Sequence, residues 1–329
     1  MGVLHRAGRG GYHHRCFPFS PHMQPAYLTA EHPWDLLDWH EAVDALREGH
    51  RQGQPRSADI HLHGEHGDLF SRASGIDGVG YGLKAESLFG GNPARGLPTS
   101  QGVMLVFAPD DGRLRAMVDS RVITALKTAS DSVLAASYLA APDSRHLLVV
   151  GAGVMAGHLA RAYSALFPGL RRISVWSRRA EAAQALAASL AGLPAEVVAV
   201  QDLQATAGQA DIVCTATMST TPLVHGAWLK AGAHVDLVGG FTPSMRESDD
   251  DLVARAAVYV DCRESALQAG DLAQPLAAGR IGPDHVRGDL YDLVASTGRP
   301  PADITVFKNA GGAHLDLMVA ARLLQRHGL

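Results

Sequence analysis

The chain has 329 residues, 47% of them hydrophobic and 19% charged, with a formal charge of −4. By the usual size prior this is about two domains with sizeable cores, and a weakly acidic, unclustered charge leaves no footprint for nucleic acid. No apolar run reaches the roughly 18 residues of a membrane-crossing helix. Cys16, Cys214 and Cys262 show neither a paired framework nor metal spacing, which points to a reducing, cytoplasmic setting.

Residues 1–24 mix Arg6, Arg9, Arg15, His5, His13, His14 and His22 with glycines and prolines and lack an apolar core segment. They read as a disordered extension, not as a secretory signal or a metal-binding arm. Ordered sequence starts near Tyr27. The pattern then predicts a helix over 39–51, a strand pair over 57–73, strands at 78–86, 102–108 and 114–119, and a helix from Thr124 to Ala140. His61-Leu62-His63 places two imidazoles on one strand face, and Glu65 or His66 would be available to complete a zinc site. A Gly64-Glu65-His66-Gly67-Asp68 turn between alternating strands explains the same residues without a metal, and none is expected.

From 146 to about 262 strands and helices alternate, as in a parallel sheet with crossovers. An apolar strand, His146 to Val150, enters Gly151-Ala152-Gly153-Val154-Met155-Ala156 and leaves as a helix. Gly151 permits the tight turn, Gly153 lets backbone approach a pyrophosphate, and small Ala156 lets helix pack on strand. The helix N-terminus supplies free N–H groups and partial positive charge. The next strand runs into Ser177-Arg178-Arg179, where a ribose-binding acid would otherwise end it. A hydroxyl and two guanidinium groups suit a 2′-phosphate, so NADP is preferred over NAD. The expected nucleotide contacts are Gly151, Gly153, Val154, Met155, Ala156, Ser177, Arg178, Arg179, Thr215 and Lys308. The helix Ala180–Leu190 is a crossover helix, and the apolar helix Ala313 to Gln325 is expected to pack back on the first domain.

Several segments together resemble the ornithine cyclodeaminase/mu-crystallin family from about Tyr27 to the C-terminus. They are Gly82-Leu83-Lys84, Gly91-Asn92-Pro93, Ile123-Thr124-Ala125-Leu126-Lys127-Thr128-Ala129, the nucleotide turn, Gly239-Gly240-Phe241-Thr242-Pro243-Ser244-Met245-Arg246-Glu247, Ala269-Gly270-Asp271-Leu272 and Phe307-Lys308-Asn309-Ala310-Gly311. The wording is most similar to bacterial Δ1-pyrroline-2-carboxylate and Δ1-piperideine-2-carboxylate reductases. The resemblance implies an α/β protein with a Rossmann-type nucleotide domain over 141–290. A discontinuous α+β substrate and dimerisation domain would be formed by 25–140 and a return segment, 291–329. It also implies a homodimer and NAD(P)H-dependent reduction of a cyclic ketimine carboxylate to L-proline or L-pipecolate, a reaction of proline metabolism.

The family's carboxylate-binding cations match Arg56, Lys84 and Lys127 here, with charged hydrogen bonds giving orientation as well as energy. Many relatives carry Arg where this chain has Lys127, a point charge in place of a planar fork. Cyclodeaminases place Asp directly after the Gly-Gly pair, whereas this chain has Phe241, which cannot act as acid or base. Two alternatives stay open: ornithine cyclodeamination or amino-acid dehydrogenation, and a mu-crystallin-like binder that holds NADPH and a small ligand. The proton donor is not legible.

Overall fold

The computed structural model describes residues 25–329, so the expectation for residues 1–24 lies outside the described residues. Two sheets share the chain. The first part contributes β1 (Ala26–Leu28), α1 (Trp39–Gly49), β2 (Arg56–His63), β3 (Asp68–Ile76), β4 (Gly80–Leu88), β5 (Ser100–Phe107), β6 (Leu114–Asp119) and α2 (Ser120–Leu139). Its six strands lie in the order β1-β6-β5-β4-β3-β2, antiparallel except for β1 beside β6. Along β4, inward Gly82, Lys84 and Glu86 are buried while outward Tyr81, Leu83 and Ala85 are not, the two-residue period of a sheet covered on one face.

The nucleotide domain follows with β7 (His146–Val150), α3 (Val154–Leu166), β8 (Arg172–Trp176), α4 (Ala180–Ser189), β9 (Glu196–Val200), α5 (Leu203–Gln209), β10 (Ile212–Thr215) and β11 (His234–Leu237). It continues through α6 (Asp250–Arg255), β12 (Ala257–Val260), α7 (Arg263–Ala266), α8 (Gly270–Ala277), β13 (Val286–Asp289), α9 (Leu290–Ala295) and β14 (Thr305–Lys308). All eight strands are parallel in the order β13-β12-β14-β11-β10-β7-β8-β9. Such a sheet is covered on both faces, so β7, β10 and β11 read as continuous apolar runs and are buried almost throughout. The order reverses at β7, whose neighbours are β8 and β10; the crevice at that switch point is where this fold binds ligands.

The return to the first domain comes later than a boundary at 290/291. β14 lies between β11 and β12 and belongs to the nucleotide sheet, so the crossing follows Lys308. A four-residue strand so close to the C-terminal helix carries no local mark of which sheet it joins. The last helix, α10 (Ala313–Arg326), then covers the inner face of the first sheet, with Leu317 against the backbone of Gly82. Between the sheets runs α2, with 16 of its 20 residues buried. Its polar residues tie the halves together: Ser132 Oγ donates to Asp236 at 3.1 Å, and Asn309 Nδ2 donates to the Thr128 carbonyl and to Ser132 Oγ, both at 2.9 Å.

Candidate active site

The first part of the site is the cleft over the carboxyl ends of β7, β8 and β10. Gly151, Gly153, Trp176, Ser177, Arg178 and Arg179 line it, facing Thr217, Met218 and Ser219. Gly151 has φ +126°, and a Cβ there would stand 2.5 Å from the Ala216 carbonyl oxygen, so the turn admits only glycine. A Cβ at Gly153 would meet nothing within 4 Å, which leaves the backbone ahead of α3 open to a ligand. Val154 opens α3 and is 80% exposed, Met155 follows it, and Ala156 is fully buried against the core, as close helix–strand packing requires. A glycine cradle at a helix N-terminus, rimmed by two guanidinium groups, fits a dinucleotide's phosphates.

Two expected nucleotide contacts lie beneath this cleft. Thr215 is fully buried and its Oγ1 donates to Glu247 at 2.6 Å. Lys308, also fully buried, donates to the Leu237 carbonyl at 3.0 Å and pairs with Asp271 at 3.2 Å. An inward residue at the end of a strand points into the layer below the loops, so these two hold the floor and do not line the cleft. Glu247 is the centre of that floor. It accepts from Thr215 Oγ1, from the backbone and hydroxyl of Thr217 at 2.6 and 2.7 Å, and from Gly239 N at 2.7 Å. Asp271 in turn accepts from the backbone N–H groups of Glu247 and Ser248. The Arg246-Glu247 and Gly270-Asp271 segments are therefore braces that fix the loops after β10, β11 and β14. Phe241 stands 57% exposed in the loop after β11.

Across the interdomain space lies a dense charged pocket. Lys84, on the inner face of β4, is 4% exposed; its Nζ pairs with Asp316 of α10 at 3.0 Å and donates to Thr124 Oγ1 at 3.2 Å. Lys127, one turn after Thr124 on α2, is buried beside it. Arg56 is not with them. Its register partners are Gly75 on β3 and, beyond, Tyr81 on β4, three residues out of step with Lys84, so it points from the opposite face and pairs with Asp77 at 2.5 Å. The third cation is Arg72, directly opposite Lys84 in the β3–β4 pairing and held by Asp59 at 2.8 Å and the Gly311 carbonyl at 3.3 Å. Strand register decides which arginine faces inward, and a one-residue slip exchanges the faces. Asp316 was also missed; its signal was a lone acid on the apolar stripe of the final helix.

Gly311, in the loop after β14, joins the two halves of the site. Its φ is +86°, and a Cβ there would lie 2.8 Å from Lys127 Nζ and 3.0 Å from Arg72 Nη1. Both cations thus close on a backbone at the carboxyl edge of the nucleotide sheet. The cations beside it keep the Asp316 carboxyl below its ordinary range despite burial, Lys84 contributing most. Asp236, behind the pocket, accepts from Ser132, Tyr163 and Cys214, and burial pushes it up to about 6. At the far end of β2, His61 and His63 converge on Asp68, not on Glu65 or His66, with ligand atoms within 4.8 Å of one another. Asp68 already accepts from His61 at 3.2 Å.

Residues 39–327 match the model of the ornithine cyclodeaminase/mu-crystallin family. The chain belongs to that family. It is 53% identical over 301 residues to a Delta(1)-pyrroline-2-carboxylate reductase of Paracoccus denitrificans, covering 90% of this chain and 95% of the relative. Among solved structures it is similar to Thermococcus litoralis Delta(1)-pyrroline-2-carboxylate reductase in complex with NADH and L-proline, with TM-score 0.86, 26% identity, and 92% and 98% of the two chains covered. It is also similar to an archaeal alanine dehydrogenase dimer with bound NAD, with TM-score 0.85, 26% identity, and 92% and 95% covered. The two-domain α/β architecture with a parallel nucleotide sheet is that of these family members.

Proposed function

We propose that this chain is an NAD(P)H-dependent imine reductase that converts a cyclic ketimine carboxylate, Δ1-pyrroline-2-carboxylate or Δ1-piperideine-2-carboxylate, to L-proline or L-pipecolate. The observation that carries this reading is the convergence of half-buried Arg72 with buried Lys84 and Lys127 in one pocket facing the edge of a nucleotide sheet. A small anionic substrate needs such a pocket, because its carboxylate must be fixed before its prochiral carbon can be presented to a hydride donor. When bound, the reduced nicotinamide supplies that hydride. Arg72 and Lys84 hold the carboxylate, each kept in place by a fixed acid, Asp59 and Asp316. Fixed partners preorganise the two cations and keep the empty pocket close to neutral, which lowers the penalty of burying them.

Ser177, Arg178 and Arg179 at the cleft rim favour NADP(H), since no acid there repels a 2′-phosphate. The outer face of the first sheet carries Ile60, Leu62, Leu69 and Tyr81, each at least 44% exposed, and supports a homodimer through this face. Arg56 belongs to that face, not to the carboxylate clamp. We place the enzyme in the cytoplasm, in keeping with the free thiols of Cys214 and Cys262. No helix among the described residues is long and apolar enough to cross a membrane.

The test is an NADPH-oxidation screen over five- and six-membered cyclic imino acids, pyruvate with ammonia, and ornithine. Steady turnover of a cyclic imino acid is expected; binding without turnover would make the protein a ligand binder. Rapid NAD⁺-dependent release of ammonia from ornithine would make it a cyclodeaminase despite Phe241.

A further inference from the structure

We infer that Lys127 is the proton donor to the ring nitrogen of the imine, an inference that rests on the reductase reading above. The three cations of the pocket, buried Lys84 and Lys127 and half-buried Arg72, are not equivalent. Lys84 is locked by Asp316 and Thr124, and Arg72 by Asp59 and the Gly311 carbonyl. Lys127 Nζ, beside Gly311, has no hydrogen-bond acceptor or ion-pair partner among the described residues. A guanidinium does not release a proton near neutral pH, and an ammonium fixed to a carboxylate gives one up reluctantly. Only Lys127 is free of both constraints.

Its surroundings act in the same sense. The groups facing it are Asp316 and His314 from α10, Lys84 from β4, Arg72 from β3, and Asp131 one turn further along α2. Burial, reinforced by Lys84 and Arg72, lowers the Lys127 ammonium below the usual lysine range, and Asp316 and Asp131 oppose this. Asp131 opposes it weakly. It is fully buried, neither of its oxygens has a partner among the described residues, and it lies against Asp261 beyond β12. Burial and the Asp261 charge push its carboxyl well above the usual carboxylate range, which reduces the counter-charge it offers Lys127. His314, held down to about 3 by burial, is neutral.

In the step itself, the imine carbon receives hydride and the C=N π pair localises on nitrogen. That pair takes a proton from Lys127 Nζ: one N–H bond forms on the ring and one breaks at the lysine. The imine gains two electrons, which the reduced nicotinamide loses, and Lys127 remains as a neutral amine. Solvent returns its proton when the product leaves.

The experiment compares Lys127→Arg and Lys127→Met with the unaltered enzyme and titrates the ε-amino group of Lys127 by NMR in ¹⁵N-lysine-labelled protein. A proton donor predicts that Lys127→Arg binds L-proline as before while kcat falls by about 10² or more, nearly as far as in Lys127→Met. It also predicts an alkaline fall in kcat that follows the NMR titration and is missing from both variants. If Lys127→Arg keeps kcat within about threefold and Lys127→Met fails in KM alone, Lys127 is a carboxylate clamp and the proposal is overturned. A Lys127 resonance that stays charged through the ordinary lysine range overturns it as well. The NMR titration reads out even with no imine turnover, so failure of the reductase reading and failure of this proposal are separable.

Discussion

The nucleotide cleft and the charged pocket are built by opposite means. The cleft is made largely of backbone: a strand, a glycine turn and a helix N-terminus adjacent in sequence, with side chains only at its rim. The pocket is made of side chains brought from β3, β4, α2 and α10, segments up to 244 positions apart if Arg72 and Asp316 are its limits. Backbone sites tolerate substitution around them because few side chains carry the binding. Side-chain sites concentrate energy in a few charges, each depending on the others for position.

The sharpest break of this contrast is Lys84→Met, which keeps the apolar stem and removes the charge. It also leaves Asp316 buried beside one cation fewer. kcat/KM for the imino acid should fall by about 10² to 10³ while NADPH affinity holds; equal loss of nucleotide binding would mean that the two regions are not separable. The reciprocal change is Arg178→Glu at the cleft rim. Loss of one charged phosphate contact, about 1.5 to 3 kcal/mol, should weaken NADPH about 10- to 100-fold and leave NADH and imine kinetics nearly unchanged. A titration with both nucleotides decides this.

Gly311→Ala tests the place where the regions meet. A methyl group would force a left-handed φ of +86° on alanine and press on Lys127 and Arg72, so turnover should fall by about tenfold. Thermal unfolding should show a stability loss of about 1 to 3 kcal/mol. Unaltered kinetics would show that the two cations do not rest on this loop. A separate effect, on stability alone, is one of pH. Burial holds His158 down to about 4 and His234 and His314 down to about 3, while the unfolded chain binds protons near 6.5. Their contribution to stability is full above the unfolded value and is lost as pH falls below it, by about 1.4 kcal/mol per pH unit for each histidine. Denaturant titrations between pH 7 and 5 should show this slope, and His234→Gln should reduce it by a third of the three-histidine total.

Much of the cleft was legible because its chemistry is local. Gly151, Gly153 and Ala156 occupy their places for reasons confined to one turn, and Arg178 and Arg179 follow the next strand directly. The end of a strand does not reveal whether a side chain points up to a ligand or down into the loop braces, and the contacts of Thr215 and Lys308 here are with the braces, Glu247 and Asp271. Lys84 and Lys127, picked out by motif wording, lie together in the pocket, whereas of Arg56 and Arg72 it is Arg72 that lies on their face. Both are arginines on neighbouring strands, and only the pairing of Asp59 with Arg72 and of Arg72 with Lys84 sets which one turns inward.

The sequence by itself determined a two-layer plan: a nucleotide sheet with its phosphate turn, a basic rim without a ribose acid, and a set of cations fit for a small carboxylate. Those features depend on residue type and short spacing, which survive in one dimension. Tertiary structure alone decided that β14 joins the nucleotide sheet, that Arg72 and not Arg56 lies on the face of Lys84, that Asp316 and Asp59 hold the cations, and that Lys127 stands beside Gly311 without a partner among the described residues. Each of these rests on strand register or on contact between distant segments. Such contacts are selected by how whole faces bury together, and no local pattern encodes them.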